Sequence, residues 1–287
     1  MSIFKTVLLM LATVMISGTA RPHKESAEEL RHAEEEEARD VHPILSLEHY
    51  CLLGGIVKGK WLEADQVAPL IKGGEKYSAY KLNGPLGKAT GGKPETDESC
   101  SQTKNVKLSP QIEGVIAIGN PKWNPLPRVP QSLSTTERVY RESVAAILKN
   151  KGIRNPTVNI SKVLRVDLDG DGVDEVLVSA TRYAEKTEGR GITPNPAAGD
   201  YSLIFVRKVI RGRVRTIIVE AEYHPKGGRQ GEEGPPNEFD VSAVVDVNGD
   251  GRMEIIVSGG YYEGSWATIY RLKGNKAEGV LGCGCGA

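Results

Sequence analysis

Residues 166–178 read VDLDGDGVDEVLV, and residues 244–257 read VVDVNGDGRMEIIV. Each stretch sets a cluster of acids and glycines between two apolar runs. Numbered from the first acid, Asp167, Asp169, Asp171, Val173 and Glu175 fall at positions 1, 3, 5, 7 and 9, and Asp246, Asn248, Asp250, Arg252 and Glu254 take the same places. A hard cation such as calcium takes six to eight oxygens. A curled loop that turns alternate side chains inward supplies them, with a backbone carbonyl at position 7. Gly172 and Gly251 at position 6 permit the sharp turn. Without a cation the carboxylates repel one another; with one they become ligands, and binding energy is added to the folded state. Asp, Asn and Gly also make ordinary solvated turns, but two copies that agree position by position favour ligation, with about two ions in all.

The loops are not EF-hands. Position 12, where that motif needs a bidentate Glu, is Val178 in one copy and Val257 in the other. A D-x-[DN]-G-D-G-x-x-E loop running straight into an apolar strand resembles the calcium loops of FG-GAP and VCBS-type repeats, over residues 163–180 and 241–272. The family usually has Asp at position 9, where this chain has Glu. The resemblance implies β-propeller blades, calcium-stabilised and serving mostly for adhesion or ligand recognition.

Around each loop the pattern is strand, loop, strand, then two further strands: VNISKVLRV, EVLVSA, YSLIFVRKVI and RVRTIIVEAEY in the first copy, and VSAVV, EIIVSGG, WATIYRL and EGVLG in the second. Four strands per unit suggest a propeller blade. The repeats span about 157–223 and 238–282, with the insertion KTEGRGITPNPAAG in the first. Two blades cannot close a ring, so the expectation is a mainly β fold with one or two helices, an incomplete or degenerate propeller. Ser134 and Glu137 make a capping box for a helix that carries Tyr140, Val144, Ile147 and Leu148 on one stripe and stops at Gly152. Together these form a region 131–287.

Upstream, residues 44–130 alternate apolar runs (CLLGGIV, KYSAYKL, KNVKL, GVIAIG) with Gly and Pro, and read as β-rich with a short helix near Glu63 to Ile71. Pro121, Pro125, Pro127 and Pro130 mark a stiff connector and a boundary. Residues 21–43 are charged and poor in large apolar groups, which predicts a flexible linker. Residues 1–20, with Lys5, the apolar run VLLMLATVMI and small residues up to Ala20, read as a signal peptide. That run is shorter than the roughly 20 residues of a spanning helix. The expectations are a secreted or periplasmic protein, with no lipobox cysteine and no membrane span in the mature chain.

Lys plus Arg equals Asp plus Glu at 37 each, so no overall basic excess points to nucleic acid or to an anionic membrane. Four cysteines in an oxidising compartment allow three pairings. The expected bridge is Cys51 with Cys100, leaving Cys283-Gly284-Cys285 as a flexible tail. No nucleophile elbow, zinc-protease pair or phosphate loop is present. His42 and His49 are spaced to share a helix face, and isolated histidines of this kind are mostly surface or packing residues. The remaining candidate is GGYYEGSW, residues 259–266, where Tyr261, Tyr262, Glu263 and Trp266 offer either a sugar-stacking platform or rings packed on the neighbouring sheet. The functional expectation is an exported, non-catalytic scaffold for an extracellular protein or glycan. The alternative is a secreted hydrolase whose calcium loops only brace the fold.

Overall fold

Residues 254–257, EIIV, are apolar at successive rather than alternate positions once past the Glu, a pattern that suits a strand buried on both faces. The computed structural model of the chain describes residues 40–184, 186–187, 191–192, 195–228 and 236–286. The expected signal peptide, and the linker up to residue 39, lie outside these. Residues 37–287 form one unit.

The described chain begins with β1 (Val41–Ser46), β2 (Cys51–Val57) and β3 (Lys60–Glu63), then the short helix α1 (Ala64–Val67) continued by a 3-10 turn at Ala68–Leu70. It returns on β4 (Lys76–Lys81) and β5 (Gly84–Gly91). The short strands β6 (Glu95–Thr96) and β7 (Lys104–Asn105) pair with each other. With β8 (Leu108–Ser109) and β9 (Ile116–Gly119), the long strands form a first antiparallel sheet of order β3-β2-β1-β9-β4-β5-β8. Val41, His42 and Pro43, expected at the end of the linker, are the start of β1, because Val41 and Ile44 bury their side chains.

Next come β10 (Gln131–Ser132) and α2 (Arg138–Asn150). The strands around the first acidic loop follow as β11 (Ile160–Val166), β12 (Glu175–Arg182), β15 (Asp200–Ile210) and β16 (Arg213–His224), with a small ladder of β13 (Lys186–Thr187) and β14 (Gly191–Ile192) between β12 and β15. This second sheet has the order β10-β11-β12-β15-β16. The third sheet, β17 (Glu238–Val245), β18 (Glu254–Tyr261), β19 (Gly264–Lys273) and β20 (Lys276–Gly286), is a four-stranded antiparallel meander around the second acidic loop. The fold is therefore mainly β and propeller-like, with two α-helices among the described residues.

The third sheet is the middle layer. Ala243, Val245, Ile256, Ile269 and Leu281 pack against Ile44, Leu53, Ile56 and Ile118 of the first sheet. From its other face Val241, Val244, Ile255 and Val257 pack against Leu164, Leu177, Ile204 and Val206 of the second. Val144 and Leu148 of α2 cover the far side of the second sheet, and Val67 of α1 covers the far side of the first. The first of these apolar clusters draws on both sides of Pro130, so the proline-rich segment separates two stretches of sequence without separating two packed bodies.

Three local expectations change. Helix α2 starts at Arg138 with Glu137 as N-cap, and the Ser134 hydroxyl accepts the Thr136 N–H instead of closing a capping box. Its end at Gly152, in the left-handed region with φ 92°, is as expected. Of the KNVKL run, only Lys104, Asn105 and Leu108 are in strands. The disulfides are Cys51–Cys283 and Cys100–Cys285. The Cys-Gly-Cys is no loose tail but the end of β20, where alternate residues share a face, so both thiols reach the first region together.

Candidate metal centre

The two acidic loops, β11–β12 and β17–β18, are built by the same hydrogen bonds. At position 1, Asp167 accepts the Gly170 and Gly172 N–H groups on its two oxygens, at 2.7 and 3.0 Å. Asp246 does the same for Gly249 and Gly251, at 2.7 and 2.9 Å. At position 9, Glu175 Oε2 accepts the Leu168 N–H at 2.8 Å, and Glu254 Oε2 accepts the Val247 N–H at 2.9 Å. At position 5, Asp171 and Asp250 each accept the N–H of position 7, Val173 and Arg252. Positions 1 and 9 thus satisfy amides that the curl would leave unpaired.

The loops differ in what remains. In the first, oxygens of Asp167, Asp169 and Glu175 lie within 4.8 Å of one another. Glu175 is buried, and Asp169 Oδ1 is enclosed with no hydrogen-bond partner among the described residues. The Lys208 ammonium, from β15, stands 2.8 Å from Asp169 Oδ2 and 2.5 Å from Glu175 Oε1. Burial lifts the Glu175 carboxyl above its ordinary value, against the pull of Lys208 and the Leu168 N–H. Burial works against the Lys208 charge too, but the two carboxylates outweigh it and the ammonium's pKa is raised. Asp171 and Asp174 face outward, Asp174 beside Arg165 at 3.4 Å.

In the second loop Asn248 and Asp250 bond each other at 3.1 and 3.0 Å instead of converging on Glu254. The residue in register with Lys208 is Arg271, beside Tyr270 in the β18–β19 ladder, and it turns to Glu278 at 2.9 Å. Among the described residues no cation pairs with Glu254. Burial, then the nearby charges of Asp250 and Asp246, push its pKa up to about 8, and burial also raises Asp246.

The proline-rich connector braces both loops, a role that its composition concealed. Trp123 Nε1 donates to the Asp246 carbonyl at 2.8 Å, and its ring lies against Gly249. Arg128 donates from Nε to the Asp167 carbonyl and from Nη2 to the Gly251 carbonyl at 2.7 Å. The loops also touch directly, Met253 N–H donating to the Leu168 carbonyl at 2.7 Å.

The GGYYEGSW residues do not form one flat platform. Trp266 covers Gly259 and meets Phe239 edge-on, both in its own sheet, and lies at the margin of the apolar cluster that this sheet shares with the second. Tyr261 and Tyr262 stand at 79° to each other. Tyr262 and Glu263 are exposed and hydrogen-bond to each other. Tyr261 lines a cleft of about 350 Å³ with Ser161, Thr181, Glu238, Asp240 and Ser258. His42 and His49 share no helix: His42 is buried in β1 with Nδ1 at the Gly119 carbonyl, and His49 contacts the Ser265 hydroxyl.

Comparisons with protein-family models, with curated proteins and with solved structures return no match for this chain.

Proposed function

We propose that the chain is an exported, non-catalytic β-repeat scaffold whose first acidic loop takes a calcium ion and whose surface binds an extracellular protein or glycan. The observation that carries the metal reading is the convergence of Asp167, Asp169 and Glu175 with one enclosed, unpartnered oxygen on Asp169. The donors fit a hard cation: all are oxygens, and three carboxylates against one ammonium leave two negative charges. The resemblance to FG-GAP and VCBS repeats points the same way. A second ion in the other loop requires Asn248 and Asp250 to give up their mutual bonds, so it binds more weakly. The two disulfides support an oxidising compartment. The cleft beside Tyr261, rich in hydroxyls and carboxylates, is where a glycan would be held.

The test is a calorimetric calcium titration of the metal-stripped chain from residue 21 onward, beside the Asp167→Ala/Asp246→Ala double variant. The expected result is one tight ion, a weaker second, and a stability gain of about 3 kcal/mol at a hundred-fold excess over Kd, all lost in the variant. A folded wild type that neither binds nor gains stability would make the loops plain acidic turns with Lys208 as their only cation. Turnover of glycoside, ester or phosphate substrates would instead favour the hydrolase.

A further inference from the structure

The β15–β16 hairpin carries the sequence RKVIRGRVR at residues 207–215, and no acidic residue stands between Tyr201 and Val219. Its turn needs two left-handed residues, Arg211 at φ 52° and Gly212 at φ 72°, as tight hairpins do. Arg211, Arg213 and Arg215 are exposed, and among the described residues none has a carboxylate partner. Of the other two cations, Lys208 is already held by Asp169 and Glu175, and Arg207, half-buried, stands beside Val209 on the same face.

The same hairpin exposes apolar side chains. Val209 and Val214 pair across the strands. They are 43 and 55 % exposed, and Ile218 on the same face is 40 % exposed. Helix α2 packs over this face at Tyr201, Leu203 and Phe205, and the hairpin continues past that cover. Arg213 and Arg215 project from the opposite face, beside an open basic concavity that reaches Gly274 and Asn275 of the β19–β20 turn. An equal balance of charges over the whole chain hides this concentration at one tip.

We propose that this hairpin is a docking element for an anionic lipid bilayer surface. A tip-first approach brings both faces to the headgroup layer at once: Val209 and Val214, the apolar pair next to the turn, enter the acyl boundary while the arginines meet phosphates, which their planar guanidinium matches. A soluble polyanion would need the arginines alone and would leave the apolar face unused, so the two faces together favour the bilayer. The inference does not rest on calcium, and the test is run in chelator to exclude calcium-bridged lipid binding.

The experiment is co-sedimentation of the chain from residue 21 onward with phosphatidylcholine vesicles, with and without phosphatidylglycerol as the anionic lipid. Binding is expected only with the anionic lipid. Arg213→Gln/Arg215→Gln should weaken it about 25-fold, at about five-fold per arginine, and Val209→Asn/Val214→Asn should weaken it several-fold. All four positions are exposed, so melting curves of both variants should overlay the wild type. Failure to bind anionic vesicles, equal binding to neutral ones, or valine variants that bind as well as wild type would each overturn the proposal. In the last case, arginine-dependent binding of heparin would identify a soluble polyanion as the ligand.

Discussion

A carboxyl group whose pKa is about 8 holds a proton in the folded protein at pH 6, where the unfolded chain has released it. Glu254 is in that position through burial and the charges of Asp250 and Asp246. The folded state then binds more protons than the unfolded state between about pH 4.5 and 8, and metal-free stability falls as pH rises through that window. Melting temperatures of the stripped protein should decline from pH 5 to pH 8, and Glu254→Gln, which keeps an acceptor for the Val247 N–H, should flatten the curve. Calcium requires the carboxylate, so its stabilisation should grow over the same window. The first loop responds to a different residue. Lys208→Met removes the ammonium from between Asp169 and the buried Glu175, which should cost about 3 kcal/mol without metal, yet calcium should bind more tightly because its competitor is gone. Loss of calcium binding in this variant would show that Lys208 organises the site. The crowding of Glu254 with Asp246 and Asp250 was legible in the sequence, but the cation of the first loop was not: Lys208 stands far along the chain from Glu175, and only the register of β12 on β15 brings them together.

At the scale of elements, the four strands around each acidic loop were legible because apolar runs and Gly-rich turns alternate there, and the two loops because their acids agree position by position. The connector was misleading. Its prolines do keep it out of the sheets, but Trp123 and Arg128 reach the position-1 carbonyls of the two loops, and Leu126 packs against both large apolar clusters. Proline content reports which backbone bonds are missing and says nothing of what the intervening side chains hold. Arg128→Ala should therefore act on both loops, with a loss of about 2 kcal/mol for charged hydrogen bonds to carbonyls. Hydrogen exchange should show faster opening at the Gly172 and Gly251 amides together; protection lost in one loop only would confine the brace to that loop.

For the whole molecule, the middle sheet decides what the ends of the chain must do. Its EIIV run announces burial on both faces, but which segments supply the two covers depends on contacts between residues far apart in sequence. The expected bridge was Cys51–Cys100; the fold instead ties the last strand of the middle sheet to β2 of the first sheet and to the β6–β7 loop. Cys51–Cys283 spans 232 residues and Cys100–Cys285 spans 185. In a chain-entropy account stabilisation varies with the logarithm of that span, so the two should differ by only about 0.2 kcal/mol on that ground. Their surroundings differ more. Cys51 is buried in β2 and Cys283 packs against the cluster between the first and third sheets, whereas Cys285 is exposed. Cys51→Ala/Cys283→Ala should therefore melt lower than Cys100→Ala/Cys285→Ala, because it loses core packing as well as the tie. Equal melting temperatures would mean that both bridges act on the unfolded chain alone, and that the apolar contact between the sheets holds β20 without them.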